Sequence, residues 1–309
     1  MLVIVPPQIY MERLTQGFKG NFFDFYPTTF TTGAYPKGNL SWHHLWFIAY
    51  LFVYDVIFAV VFKWSMSDTG RNKISFFNNL AKGKRIYLLI IPSVILYTSL
   101  AIKFPQTNDL IHDWSSFFYW LFFLLAGFIC INFPLLMNSL QRNRRTSFAM
   151  AVISIFIINY IRWNKLDPFD TLPHWQSDWR TYAYLALYPL TAWFWVFTAV
   201  GYGKQYLNKK LPVLDYINQA VYPFYILHQT VIVIITYYVV QVNESILMKY
   251  LFTVILTFMV SMSVYHLFIR PFGVMRFLFG MKADKKKVIP AEGKNETTQT
   301  ETYSTAPAI

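Results

Sequence analysis

Residues 216–240, YINQAVYPFYILHQTVIVIITYYVV, decide the fold. The stretch holds no Asp, Glu, Lys or Arg. It is longer than the about 20 apolar residues that a helix needs to cross the hydrocarbon core of a bilayer. Because lipid offers no water to backbone N–H and C=O groups, a segment of this kind must satisfy them internally, as a helix does. The stretch therefore predicts a membrane protein built of helices.

Six further segments have a similarly apolar composition: 42–63, 86–102, 114–137, 148–163, 181–201 and 247–269. They lack the polar alternation that is typical of outer-membrane barrel strands. Only 14% of all residues are charged, against roughly 25% in soluble proteins, which excludes a soluble multidomain enzyme. The predicted fold class is all-α, a polytopic transmembrane bundle of about seven spans.

The positive charges alternate between the connecting loops. Loops 63–85, 138–147 and 202–215, with the tail from Arg270, carry 19 of the 27 Lys and Arg residues. Because Lys and Arg in short loops stay in the cytoplasm, the N-terminal segment is predicted to lie outside and the C-terminus in the cytoplasm. The net charge of +12 is then a topology signal that can also attract membrane lipid headgroups, and nucleic acid is not expected as a partner.

The two ends of the chain differ in kind. Residues 1–280 form the predicted membrane domain, whereas residues 281–309 have too little apolar content to fold and predict a disordered cytoplasmic tail. The opening residues resemble the exit of a preceding membrane helix, so we expect further helices upstream of Met1.

The single cysteine, Cys130, lies in an apolar run, which predicts neither a disulfide nor a cysteine metal site. No metal site is predicted.

Polar residues follow a helical stripe in the first half of 216–240. Asn218, Tyr222, Tyr225 and Gln229 recur at spacings of four, three and four, and His228 borders them. Ionisable and polar groups inside a span are costly and therefore candidates for function. We predict His228 as a catalytic residue and the stripe as substrate-binding. The alternative is that His228 only bonds a neighbouring helix.

The first span carries a second polar pair. His44 and Asp55 are eleven residues apart, so an ideal helix returns them to nearly the same face. We predict both as catalytic, with the alternative that Asp55 is a structural partner of a neighbouring helix. Trp46 is predicted to contact a sugar or, alternatively, to anchor the helix at the membrane interface. His43 is not expected to share a metal ion with His44, because adjacent helical residues point about 100° apart.

Two stretches carry a family resemblance: SWHHLWFIAYLF at 41–52 and VYPFYILHQTVIV at 221–233. They resemble the membrane acyltransferase 3 family, whose members have a His-Leu-Trp-Phe segment opening one span and a Tyr-x-x-Tyr-x-x-His-Gln segment in a late one. The run IVPPQIYMERL at 4–14, with FYPTTF and YPKGN after it, is similar to the branch that includes bacterial glucan-succinylating proteins.

The resemblance implies an enzyme of the bacterial inner membrane with about ten helices. Such an enzyme takes an acyl group, acetyl or succinyl, from acyl-CoA and passes it to a hydroxyl of a carbohydrate or glucan outside the membrane, with no bound cofactor. The family's histidine and arginine in its first helix have no counterpart in this chain. Two alternatives stay open: a transporter or flippase for a glycan or lipid-linked sugar, which also uses midplane polar groups and broken helices, and a non-catalytic membrane fragment.

Overall fold

The computed structural model describes residues 1–282 and shows an all-α architecture in that part of the chain. Its α-helices are α1 (Pro6–Thr15), α2 (Phe22–Phe25), α3 (Thr28–Thr31), α4 (Trp46–Met66), α5 (Asp68–Lys73), α6 (Ile91–Leu100), α7 (Trp114–Asn132), α8 (Pro134–Trp163), α9 (Pro168–Thr171), α10 (Trp179–Tyr206), α11 (Val213–Val239), α12 (Ile246–Val264) and α13 (Gly273–Leu278). Shorter 3₁₀ helices cover His43–Leu45, Ser75–Ala81 and Arg85–Ile90, and a π-helical turn covers Tyr265–Ile269. The predicted tail lies, from residue 283 onward, outside the described residues.

Six of these helices are long and apolar enough to cross a membrane: α4, α7, α8, α10, α11 and α12. Each overlaps one of the predicted spans, and the protein is a multi-pass membrane protein. The predicted span 86–102 forms a shorter unit, Arg85–Leu100, in which a 3₁₀ helix leads into α6. Large apolar side chains on the outside of the bundle, such as Val60 and Ile131 at 77% and 79% exposed, present the surface that lipid covers.

The predicted cytoplasmic loop 138–147 is wrong as a loop, because these residues are helical. They belong to α8, which runs without interruption through 30 residues from Pro134, or about 45 Å. Pro134 is accommodated at the first helical position, where its missing N–H costs nothing. The three arginines of that segment therefore lie on a helix that is longer than the about 30 Å hydrocarbon core.

The largest core joins α6, α7, α8 and α10. The Trp193 ring is 1% exposed and stacks on Phe123 with ring centroids 4.0 Å apart, and its indole N–H donates to Ser93 Oγ at 3.0 Å. Helices α8 and α10 pack against each other along most of their length. The buried indole and the long α8/α10 contact make these four helices one packed unit.

Helix α4 packs on α7 through aromatic side chains. Tyr50 and Tyr54 are fully buried, and the Tyr54 ring lies 4.8 Å from Phe117, centroid to centroid. Helices α11 and α12 form a second unit with the π-helical turn around the buried Tyr265. The N-terminal helix α1 lies against α11. The site described below forms where α1, the 3₁₀ turn before α4 and α11 come together.

Segments that the charge pattern predicts on one side of the membrane meet at one end of the bundle. The Trp42 indole donates to Asn108 O at 2.9 Å, which joins two segments predicted outside. The Asn143 amide donates to Gly83 O at 2.9 Å, which joins two segments predicted inside. We call the end that contains residues 81–84, 138–145 and 204–205 the basic end.

Candidate active site

The two predicted catalytic histidines, His44 and His228, are neighbours. Their ring centroids lie 5.7 Å apart with the planes nearly perpendicular. His44 belongs to the 3₁₀ turn that precedes α4, and His228 lies in α11 about 22 Å along the helix axis from its first residue. Two histidines from separate spans thus form one site.

Hydrogen bonds to backbone carbonyls fix the protonation pattern of both rings. His228 Nδ1 lies 2.7 Å from the carbonyl oxygen of Tyr225, and His44 Nε2 lies 3.1 Å from that of Ile226. Because a carbonyl oxygen only accepts, the ring nitrogen that faces it must carry the proton. In the neutral rings the free lone pairs are therefore on His228 Nε2 and His44 Nδ1, and His44 Nδ1 is buried without a partner in the described part of the chain.

Tyr225 ties the two elements together. Its hydroxyl donates to the backbone carbonyl oxygen of His44, while its ring lies 5.8 Å from the His228 ring, centroid to centroid. On its other side His228 stacks on Phe224, one turn earlier in α11, at an interplanar angle of 7°. These contacts restrict the rotamer of His228 and leave its Nε2 without a protein hydrogen-bond partner among the described residues.

A cavity of about 580 Å³ opens beside the histidine pair. It lies between α1, the 3₁₀ turn and the second half of α11, and we call it the N-terminal cavity. Its polar lining includes Gln8, Glu12, His43, Gln229, Thr236 and Tyr237. Gln229, predicted as substrate-binding, thus faces this cavity, and its neighbour His228 faces His44.

The structure does not bring the other predicted site residues to the pair. Trp46 packs between Tyr50 and α7, with its ring 5.1 Å from that of Tyr50. Asn218 is exposed, and Tyr222 is 37% exposed with its ring beside Gly280. Of the predicted stripe, Tyr225 and Gln229 therefore face the site.

Asp55 lies on the outside of α4. Its side chain is exposed and makes no hydrogen bond or ion pair within residues 1–282. The eleven-residue spacing assumed that His44 and Asp55 share one α-helix, but α4 begins at Trp46 after a 3₁₀ turn. The tighter winding of that turn changes the direction of His44 relative to Asp55. The structure does not bring Asp55 to the histidine pair, so the geometry gives no support to its predicted catalytic role.

Of the residues that line the N-terminal cavity, only Gln229 was predicted as a site residue, and Gln8, Glu12 and His43 are among those missed. Gln8 and Glu12 lie one turn apart on α1, a spacing that IVPPQIYMERL already contains, with Pro6 and Pro7 as the start signal for a helix. His43 was considered only as a metal ligand. It enters the cavity because its backbone is left-handed, with φ of 41°, a conformation that no sequence pattern here indicates.

A comparison with protein families assigns the chain. A family model described as an acyltransferase domain, acyltransferase 3, matches residues 13–266 and so includes both His44 and His228. The chain belongs to the acyltransferase 3 family. No curated protein and no solved structure matches this acyltransferase.

The acyltransferase also has a concave surface at its basic end. A cavity of about 490 Å³ there is lined by Lys82, Asn138 and Arg142. The Arg142 guanidinium donates to the carbonyl oxygen of Ala81, which orders the arginine beside the loop. Positive side chains around a depression are the chemistry that holds phosphate groups.

Proposed function

We propose that this protein is a membrane O-acyltransferase that transfers an acetyl or succinyl group from acyl-CoA to a hydroxyl of an extracytoplasmic carbohydrate or glucan. The observation that carries the proposal is His228, whose Nδ1–H donates to a carbonyl and whose Nε2 lone pair has no partner within residues 1–282. A neutral imidazole held in this way has a lone pair that can accept a proton from a substrate hydroxyl. The similarity of IVPPQIYMERL to the glucan-succinylating branch supports the glucan.

The proposed reaction uses the Nε2 lone pair of His228 as a general base. The acceptor hydroxyl oxygen attacks the thioester carbonyl carbon while its proton moves to His228 Nε2. The tetrahedral intermediate then collapses, a C–O ester bond remains, and the C–S bond breaks. The leaving thiolate takes the proton from the imidazolium, so His228 is neutral again and coenzyme A is released.

His44 is a positioning residue in this scheme. Its Nε2–H holds the carbonyl of Ile226, and its own carbonyl accepts from Tyr225, so it sets the distance between the 3₁₀ turn and α11. The aromatic contact between the two imidazoles restricts the His228 ring. Preorganisation of this kind reduces the entropy lost when two substrates are brought together.

The donor is proposed to enter at the basic end, with its phosphates near Lys82 and Arg142. The positive charges agree with a cytoplasmic position for this end and for the C-terminus, in the inner membrane of a bacterium. Membrane lipid is the expected surrounding, and no bound cofactor is part of the proposal. Trp46, Asn218, Tyr222 and Asp55 keep their predicted roles as proposals, to be tested by substitution.

The test measures acyl transfer from acetyl-CoA and succinyl-CoA to a linear glucose oligosaccharide by the purified protein in lipid nanodiscs. His228→Asn retains an N–H donor at the position of Nδ1 and removes Nε2, so we expect kcat to fall about 10²- to 10⁴-fold. Asp55→Asn in the same assay tests the carboxylate that lies away from the pair.

His44→Gln and His44→Asn form a matched pair for the positioning role. The longer glutamine retains a donor at the position of Nε2 and is expected to be the more active of the two, whereas asparagine loses the bond to Ile226 O.

Full activity of His228→Asn would overturn the proposed base. Movement of the oligosaccharide across a vesicle membrane without acylation would overturn acyl transfer in favour of transport.

A further inference from the structure

The N-terminal cavity collects polar atoms whose hydrogen-bonding capacity is unused. The described contacts of the Glu12 carboxylate go to Oε1, from Tyr35 at 3.3 Å, from Gln16 at 3.1 Å and from the Arg13 guanidinium at 3.9 Å. Its other oxygen, Oε2, has no partner among residues 1–282. His43 uses Nδ1 with Ser41 Oγ at 2.7 Å and leaves Nε2 free in the same part of the chain. A carboxylate oxygen and an imidazole nitrogen are thus both available to a ligand.

A buried amide adds to this set. Gln8 is 2% exposed, and its Nε2 donates to Thr230 Oγ1 at 2.7 Å and Ile4 O at 3.2 Å. Its Oε1 is buried and has no partner among the residues that the structure describes, and Gln8 lines the cavity. A buried oxygen without a donor costs about 1–3 kcal/mol. A ligand hydroxyl that reaches this oxygen from the cavity would supply the missing donor.

The cavity side chains are held in place by a network of their own. Arg13 Nη2 donates to the carbonyl oxygens of Pro36 and Gly38 at 2.9 and 3.0 Å, which fixes the loop that carries Tyr35 over Glu12. Burial and the Glu12 carboxylate raise the pKa of Tyr35, so its hydroxyl stays protonated and donates. The left-handed backbone of His43 is a strained conformation of the kind that gathers at ligand sites.

The cavity adjoins the proposed base. His43 and Gln229 line the cavity. His44 directly follows His43 in the chain, and His228 directly precedes Gln229. His44 and His228 are the two histidines of the pair. A ligand in the cavity is therefore one residue from the pair on both elements. The cavity thus adjoins both elements that carry the pair, while the two paired histidines themselves lie outside its lining.

We propose that the N-terminal cavity is the acceptor site and binds a neutral sugar, with Glu12 Oε2, His43 Nε2, Gln229 and Gln8 Oε1 as its hydrogen-bonding partners. This inference rests on the proposed function, since the sugar is the acceptor of the acyl group. A few convergent polar groups in a cavity of about 580 Å³ are typical of a small-molecule site. The Glu12 carboxylate favours a neutral acceptor over an anionic one, because like charges repel.

Glu12→Gln tests the assignment, with Glu244→Gln as the matched control. Glu244 is an exposed glutamate in the loop after α11 and does not line the cavity. With a linear glucose oligosaccharide as the acceptor, we expect Glu12→Gln to raise the KM for the sugar about 10- to 100-fold, the range expected for a lost hydrogen bond to a charged group. Its kcat should stay within a few-fold of the unsubstituted protein, and the control should change neither constant.

Saturation-transfer NMR with the oligosaccharide alone provides a second measurement, and Gln229→Met a second variant that keeps side-chain length without hydrogen bonds. Loss of sugar binding in both cavity variants supports the assignment. Unchanged KM and unchanged binding in both variants would overturn it while leaving acyl transfer intact. If the unsubstituted protein binds the sugar through Glu12 but transfers no acyl group, the cavity assignment stands and the acyltransferase proposal fails.

Discussion

A single buried carboxylate organises the loop that joins α6 to α7. Asp113 is completely buried, and its Oδ2 accepts from the Tyr50 hydroxyl at 2.8 Å and from the Asn108 N–H at 3.0 Å. The loop also contains two left-handed residues, Asn108 and Leu110. Because a buried charge is stable only when it is paired or hydrogen-bonded, these bonds hold α4, the loop and the start of α7 together.

Tyr50 and Tyr54 allow a comparison of charged and neutral acceptors on one helix. Both rings are fully buried one turn apart on α4, but Tyr50 donates to the Asp113 carboxylate and Tyr54 donates to the Phe117 carbonyl oxygen at 2.6 Å. We expect Tyr50→Phe to lower the free energy of unfolding by about 1.5–3 kcal/mol and Tyr54→Phe by about 0.5–1.5 kcal/mol. Reversible unfolding in detergent, followed by far-UV circular dichroism, measures both. Equal losses would show that the carboxylate adds nothing beyond a neutral bond.

The sequence alone identifies both histidines of the pair, but it does not identify the residues that surround them. His44 and His228 stood out because ionisable groups are costly within apolar spans. Glu12 did not, since it lies in an ordinary amphipathic segment and reaches the site only through the contact of α1 with α11. Asp113 lies outside every predicted span, so nothing in the local sequence indicates its complete burial.

At the scale of the element, the close contact of α8 with α10 depends on one glycine. A Cβ at Gly201 would lie 2.6 Å from the Leu140 carbonyl oxygen and 2.9 Å from Arg144 Cβ. A hydrogen bond joins the same two helices: Gln141 Nε2 on α8 donates to Gln205 Oε1 on α10 at 2.7 Å. Small residues at such crossings let helix backbones approach each other in membranes.

Gly201→Ala is expected to destabilise this helix pair, and Gly203→Ala provides a control two residues away. At Gly201 the added methyl group meets a backbone oxygen that moves only with its helix, so we expect a loss of about 1–3 kcal/mol. At Gly203 no atom lies within 4 Å of the added Cβ, and alanine favours the helix by up to about 1 kcal/mol. The two variants should shift the unfolding midpoint in opposite directions. A stabilised Gly201→Ala variant would contradict the close approach.

The sequence pattern predicted the spans better than the connections. Apolar length identifies α4, α7, α10, α11 and α12, because crossing a bilayer sets a minimum that few other structures meet. The sequence pattern predicts a loop at the helical segment 138–147, because its arginines end the apolar run. Charge marks where a helix leaves the hydrocarbon core, whereas the helix itself continues for as long as packing on α10 supports it.

For the whole molecule, the distribution of charge and the packing indicate the same division into two ends. Arg142 donates to Ala81 O, and Lys204 donates to Asn138 Oδ1, so basic segments that are far apart in sequence gather at one end. Asp178, in a segment predicted on the other side, caps α10 and pairs with Arg180 at 2.7 Å. The Arg180 side chain lowers the pKa of Asp178 to about 2, so the pair stays charged at any physiological pH and keeps this end of α10 in water.

Cysteine labelling can test this division, because Cys130 is the only native thiol and is buried. In a Cys130→Ala background, Gln176→Cys places a thiol in the exposed segment before α10, and Asn208→Cys places one in the exposed segment after it. The charge pattern predicts the first outside and the second in the cytoplasm. A membrane-impermeant maleimide should therefore label Gln176→Cys in intact cells and Asn208→Cys only after permeabilisation. The reverse pattern would invert the topology and place the N-terminal cavity in the cytoplasm, where an extracytoplasmic acceptor has no access to it.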